Sequence, residues 1–398
     1  MRRMLKCLLW LFVICYLTRL FYQVASDTGE YQWDFRHAYY ASQAYLAGMN
    51  PYSAEVLTRL AGQYTGMRIV YPPHSLLYFA FFTLFTWHTA FYLFLGLKGA
   101  ALIALGWLWK KFMPGERAGA GFYCFCLLAY FNPLSIDVWV GNRTVFEQLV
   151  LWGAFLCFLR GRLIWFCSLV VILASWRASE VLFLSLLLVS PSPRKYRYLW
   201  GSCGALALVL LLSYAAQPVL YGNSMRNLAL ECADKMQQSC PVSRCFIKDA
   251  LMMVSLKIGI PLPSSIVTVS YWGWVILVIG ITVRACRRLY VSRSDEAAKV
   301  MIFLVCFAYI LIFPYGSGYW YALLLVPTYY VITCMVSGRA FPFLFIILAM
   351  NRDGNFFNLS LYNLMWTYYP LLCAVLVWGL CLRTVFERED AGASRCMT

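Results

Sequence analysis

Apolar residues in this chain come in long unbroken runs separated by short polar turns, not in the strict alternation of half-buried strands. The runs extend over Cys7 to Tyr22, Thr89 to Trp109, Ala118 to Leu134, Val145 to Leu159, Leu163 to Trp176 and Val181 to Ser190. They continue over Leu199 to Ala216, Ser264 to Val283, Val300 to Phe313, Tyr319 to Val336, Phe341 to Met350 and Asn363 to Leu382. Each is about long enough, or slightly short, to cross ~30 Å of hydrocarbon as a helix. The pattern predicts an all-α polytopic membrane protein with a bundle of about 12 transmembrane helices. Pro72 to Trp87 is apolar as well, but a crossing there would invert the side of every later loop. It is expected to dip into the membrane and return, or to lie as a half-span, shielded by protein or lining a cavity, because lipid cannot satisfy broken backbone hydrogen bonds. The prolines Pro72 and Pro73 fit such an interrupted start.

Composition excludes a soluble globule: 62% hydrophobic against 13% charged residues, with a mean hydropathy of +0.67, leaves too little polar surface to clothe one. The net charge of +16, from 33 basic and 17 acidic residues, sits in short turns between the apolar runs. That placement argues for cytoplasmic loops and against nucleic acid as a partner. With Arg2, Arg3 and Lys6 inside, alternation puts Lys110/Lys111/Arg117, Arg160/Arg162, Arg194/Lys195/Arg197, Arg284/Arg287/Arg288, Arg339 and Arg383/Arg388 on the same side. The economical reading is one membrane domain over 1–398, with large outer loops at 23–71 and 217–263. The first apolar run reads as a retained span, since no small-residue cleavage site follows it cleanly.

Most of the 16 cysteines lie inside apolar runs, where cysteine acts as a small hydrophobe. Cys232, Cys240 and Cys245 share a polar loop in which one disulfide could form. No metal site and no cofactor are expected, because C-x-x-C pairs and Gly-rich phosphate loops are missing and the carboxylates are dispersed. Two glycosylation sequons, Asn142-Arg143-Thr144 and Asn358-Leu359-Ser360, fall in predicted outer loops.

Candidate chemistry starts in the first outer loop. A helix is expected from Phe35 to Ala47, with Phe35, Tyr39, Ser42, Tyr45 and Leu46 on one broad face lying on the membrane interface. Gly48 and Pro51 supply stop signals, and Asp34 stands where the N-cap should be. Asp34 is thus either a cap or an acid placed for chemistry at the membrane surface. Asp27 and Glu30 are its rivals, with solvation of the loop as their plainer role. Arg177 lies between two apolar runs and shares a helix face with Glu180, as an ion pair or as an anion ligand. Arg143 and Asn142 occupy a short outer loop, and Glu147 lies just inside the following span. Lys98, inside an apolar run, needs a carboxylate or a wet cavity. Tyr315, Tyr319, Trp320 and Tyr321 form an aromatic edge suited to a sugar face or to a membrane belt.

The run D-F-x-x-Y-Y-x-x-x-A-x-L-x-G-x-x-P-Y from Asp34 to Tyr52, followed by Y-P-P at Tyr71 to Pro73, resembles the signature of glycosyltransferase family 87. G-N-R-T at Gly141 to Thr144 and S-W-R at Ser175 to Arg177 are weaker echoes, standing where the family often has G-Q-x-N and a lysine; the family's late histidine has no counterpart beyond His88. The resemblance implies a GT-C-like bundle with amphipathic interfacial helices in the first outer loop. It implies transfer of a hexose, most plausibly mannose, from a polyprenyl-phosphate donor to a glycolipid or envelope glycan, with inversion. Asp34 would be the catalytic base, Arg177, Arg143 and His37 would bind donor phosphate, and Tyr39, Tyr40, Asn142, Glu147, Glu180 and Tyr319 would contact substrate. The expected setting is the bacterial inner membrane, among membrane lipids, with the site facing the extracytoplasmic side. A transporter or flippase, which needs intramembrane charges too, and a non-catalytic GT-C-like subunit are the alternative readings.

Overall fold

A computed structural model describes residues 2–63, 68–237, 263–292, 294–313, 318–335 and 360–395, and among these it is helical with no strand. The elements in order are α1 (Arg2–Ser26), α2 (Trp33–Leu46), α3 (Ala54–Ala61), a 3-10 helix (Pro73–Leu84), α4 (Trp87–Lys110), α5 (Ala120–Leu128), α6 (Pro133–Val140), α7 (Thr144–Leu159) and α8 (Leu163–Trp176). A second long 3-10 helix (Ala178–Val189) leads to α9 (Lys195–Ala216), α10 (Pro218–Gln237), α11 (Ser264–Ser292), α12 (Asp295–Ile312), α13 (Leu325–Tyr330) and α14 (Ser360–Arg395). The chain divides into two compact units, one of Cys15–Leu108 and Ser135–Ser239, the other of Met1–Ile14, Trp109–Leu134 and Cys240–Thr398.

Among the described residues five helices are long and apolar enough to cross a membrane: Arg3–Ser26, Trp87–Lys110, Lys195–Ala216, Ser265–Ser292 and Tyr368–Glu387. Counting Ala120–Phe131 with Pro133–Val140 as one broken span gives six. Other apolar runs keep their sequence boundaries but fold into shorter rods. α7 and α8, with 16 and 14 residues, reach only ~24 and ~21 Å at 1.5 Å per residue. The run after Pro72 becomes a 12-residue 3-10 helix, ~24 Å long at about 2 Å per residue. The apolar run Phe341 to Met350, the Asn358 sequon, Pro314, Tyr315, and the cysteine loop with Cys240 and Cys245 lie outside the described residues.

In the first unit the core is aromatic. Phe35 stacks on Phe94 with centroids 4.0 Å apart and meets Phe82 edge-on at 5.1 Å. Around them Ala38, Tyr39, Phe79 and Ala90 complete one buried cluster. This packing changes the expected position of α2. Arg36, His37, Ala38 and Ala44 are buried along with Phe35, Tyr39 and Ser42, while Leu46, expected beside Phe35 on the membrane-interface face, is 55% exposed. The helix is held within protein around most of its circumference, because the 3-10 helix Pro73–Leu84 packs along it. Side-chain hydroxyls meet the carbonyls of that stretch: Ser42 Oγ donates to Leu76 O (2.8 Å) and Tyr39 Oη to Phe85 O (2.7 Å). One face of the segment is thus covered by α2, while Leu77, Tyr78, Phe81 and Leu84 stay exposed on the other.

The end of α2 follows its sequence signals. Gly48 adopts φ +69, its N–H bonds to Tyr45 O, and the N–H of Met49 reaches back to Ala44 O, the paired bonds of a glycine-terminated helix. The start does not. Gln32 occupies the N-cap with left-handed φ 57 and ψ 39, and Asp34 lies inside the first turn. Asp34 therefore does not cap α2, although a carboxylate in a first turn is favoured by the helix dipole.

Candidate active site

A turn between α6 and α7 in the same compact unit brings Asp34 to its partner. Gln32 N–H donates to Trp139 O at 2.7 Å, laying residues 31–34 against the end of α6. Gly141 makes the approach feasible: its φ is +74, and a Cβ there would fall 2.7 Å from Gln32 Cα. Both the backbone conformation and the space demand glycine. The next residue, Asn142, is 2% exposed and donates from Nδ2 to Asp34 Oδ2 at 2.6 Å. Its own Oδ1 accepts from Thr144 Oγ1 at 3.0 Å, which fixes the amide orientation so that the nitrogen faces the carboxylate. Because Asn142 is buried and committed to these two bonds, its sequon is not an accessible acceptor for glycosylation.

Lys98 holds this turn from below. Its ammonium is fully buried and lies 2.9 Å from Asp137 Oδ2. It also donates to Asp137 O at 2.6 Å and to the carbonyl of Asn142. Asp137 Oδ1 accepts from Thr144 N–H at 3.2 Å, so the same carboxylate ties Lys98 to the start of α7. Lys98 thus has the carboxylate partner that an intramembrane lysine needs. The pairing was not readable from spacing, because 39 residues separate the two.

Arg143, the next residue, turns to the other side. Its Nε donates to Glu147 Oε1 at 2.6 Å, its Nη2 to Trp176 O at 3.3 Å, and its guanidinium lies 4.0 Å from the centroid of the Tyr71 ring. Arg177 approaches Glu147 Oε2 at 3.0 Å and Glu180 Oε1 at 3.8 Å. The pair expected between Arg177 and Glu180 is present, but the shorter contact is to Glu147, which bridges both arginines. The buried Arg143, Glu147 and Glu180 and the partly exposed Arg177 balance in charge, as largely desolvated ions must. Arg143 Nη1 is buried and has no hydrogen-bond partner among the described residues.

Tyr71 links the two groups. Burial raises its phenol above the ordinary value; Arg143 and Arg177 draw it down, Asp34 and Glu147 push it up. It therefore feels Asp34 and the arginine cluster at once and keeps its hydroxyl proton near neutrality. Sequence reading placed Tyr71 in a motif but not in the site; its aromatic stack under Arg143 was the missed signal. His74, three residues on, joins by Nε2 to Ser175 O (2.8 Å) and by Nδ1 to Ser213 Oγ (2.7 Å), fastening this strip to α8 and α9.

The other candidates are placed as follows. His37 bonds through Nδ1 to Trp33 O within α2; a carbonyl only accepts, so Nδ1 carries the proton. Tyr39 is a core residue with its hydroxyl on Phe85 O, and Tyr40 stacks on Trp87 at 6.1 Å. Tyr319 begins a short 3-10 helix, Gly318–Leu324, in the other compact unit. Asp27 accepts from the N–H groups of Gly29 (2.8 Å) and Glu30 (2.9 Å), forming a local turn. Arg36 donates to Thr28 O and Gly29 O and lies 5.1 Å from the Trp87 ring, pinning that turn.

Compared with known families, residues 70–314 match the model of glycosyltransferase family 87. The matched stretch holds Tyr71, Lys98, Asp137, Asn142, Arg143, Glu147, Arg177 and Glu180, while α2 with Asp34 precedes it. No curated protein and no solved structure matches the chain.

Proposed function

Because the chain belongs to glycosyltransferase family 87, we propose that it transfers a hexose, with mannose as the leading case, from a polyprenyl-phosphate sugar to a glycolipid or envelope glycan. The observation that carries this reading is the single turn Asn142-Arg143, which serves a carboxylate on one side and a cationic cluster on the other. Asp34 takes the proton of an acceptor hydroxyl as that oxygen bonds to the anomeric carbon. The bond from that carbon to the phosphate oxygen breaks, and polyprenyl phosphate leaves with the electron pair, inverting the centre. Arg143 and Arg177 meet the growing phosphate charge, with the buried Nη1 of Arg143 as the uncommitted donor. His37 binds donor phosphate through the nitrogen not used in its own helix. Asn142 orients the base, Tyr71 donates to a sugar or phosphate oxygen, and Tyr40, Glu147 and Glu180 contact substrate, the carboxylates by accepting from sugar hydroxyls.

The same reading puts the protein in a bacterial inner membrane as a GT-C-like bundle of about 12 crossings, with its site on the extracytoplasmic side. Its support is the five long apolar helices together with the basic turns between apolar runs. The test compares matched amounts of wild type and Asp34→Asn for transfer of radiolabelled sugar from a panel of polyprenyl-phosphate donors to membrane lipids. Transfer by the wild type and its loss in the variant is the expected result. Equal transfer by both overturns the role of Asp34, and no transfer from any donor by folded protein overturns the transferase reading in favour of transport or a subunit role.

A further inference from the structure

In the second compact unit, α11 packs on α12 and α14 and carries Arg284, Arg287 and Arg288 towards its C-terminal end. Gly280, Val283, Arg284, Arg287, Arg288 and Val291 recur at three- and four-residue spacing along one face and line a hollow of 340 Å³. A neighbouring hollow of 400 Å³ shares Arg288 and Val291 with it. Arg284 and Arg287 are exposed and enter no ion pair among the described residues, and Val283 and Val291 are exposed as well. Phe386 of α14 lies 4.6 Å from the Arg288 guanidinium and 5.7 Å from that of Arg284, which orders both side chains before any ligand arrives. Towards the middle of the helix the face turns apolar. A Cβ built at Gly280 would meet nothing within 4 Å, and Ile276 is 70% exposed.

Arg284 and Arg287, three residues apart on this face, enter no ion pair among the described residues, and the donor geometry of arginine suits phosphate oxygens. The exposed apolar face that continues from these arginines past Gly280 to Ile276 suits a hydrocarbon chain. A free phosphate would use only the polar end. We propose that this face binds an anionic phospholipid, its phosphate on Arg284, Arg287 and Arg288 and one acyl chain in the notch at Gly280. The site is built from residues of this unit alone and does not depend on the transferase reading.

The test is native mass spectrometry of the purified full chain in mild detergent, mixed with phosphatidylglycerol or phosphatidylcholine of identical acyl chains. The wild type should retain phosphatidylglycerol about tenfold or more over phosphatidylcholine, and R284Q/R287Q/R288Q should lose that preference. Gly280→Leu keeps every charge and fills the notch; it should weaken retention of phosphatidylglycerol several-fold, and it keeps the test decisive if the triple variant fails to fold. Equal retention of the two lipids by the wild type, or an undiminished preference in both variants, overturns the proposal. Displacement of the lipid by millimolar inorganic phosphate would show that the polar end alone is recognised and would overturn the acyl-chain part.

Discussion

Replacing Lys98 by methionine tests the support of the site without touching the proposed chemistry. The side chains are similar in length, so the change removes a charge and leaves the packing nearly intact. Three bonds disappear: the 2.9 Å ion pair to Asp137 and the bonds to the carbonyls of Asp137 and Asn142. Asp137, 1% exposed, is left as a buried carboxylate without its counter-ion. Breaking one partner of such a pair costs about 3–5 kcal/mol, a large share of the roughly 5–15 kcal/mol that holds a domain together. A loss of that size lowers a thermal midpoint by about 6–20 °C in a unit of this scale. The assay is heat-induced unfolding of purified protein in detergent, followed by intrinsic fluorescence and by loss of monodisperse material. Lys98→Met should melt far below wild type, and adding Asp137→Asn should recover about 2 kcal/mol of the deficit, since removing both charges ends the uncompensated burial. If Lys98→Met melts with wild type, or the double variant melts below both singles, the buried pair does not support this turn and the reasoning fails.

Asn142→Leu removes the bond to Asp34 Oδ2 and should lower turnover about 10- to 100-fold with KM for the donor little changed, as donor titrations of transfer would report. Arg143→Lys keeps the charge but loses the planar contact with Tyr71 and the Nε bond to Glu147; donor KM should rise at least about tenfold, and an unchanged KM would remove Arg143 from donor binding. Gly141→Ala sets a methyl 2.7 Å from Gln32 Cα at positive φ and should cost about 2 kcal/mol or more, seen as a lowered melting midpoint or aggregation on size-exclusion chromatography. Expressed in a glycosylating host, the chain should show no glycan at Asn142 by peptide mass mapping; occupancy there would contradict its burial.

Several apolar runs were legible to the residue or nearly so: Leu163 to Trp176 is α8, and Val145 to Leu159 is one residue short of α7. Hydropathy does not distinguish a 3-10 rod from an α-helix, so the two 12-residue 3-10 helices were invisible to it. The partial burial of α2 was equally hidden. Arg36 and His37 look like surface residues in a helical projection, yet backbone carbonyls at Thr28, Gly29 and Trp33 receive their donors. In the site, residue type singled out Asp34, Asn142, Arg143, Glu147 and Arg177 separately. Their grouping depends on Gln32 in a left-handed conformation, a state that an ordinary glutamine does not advertise.

The peptide joining Asn142 to Arg143 has a further consequence. One end of it grips the acid and the other the cations, so the two cannot be moved independently. Under the proposed roles this bond works as the fixed hinge of a calliper, its jaws set on the acceptor oxygen and on the leaving phosphate. A donor with a different spacing between sugar and phosphate, such as a diphosphate-linked one, would not fit those jaws without refolding the turn. Selection for a new donor class would then act on Gly141 and Thr144, which shape the hinge, before it acted on the residues that touch the substrate.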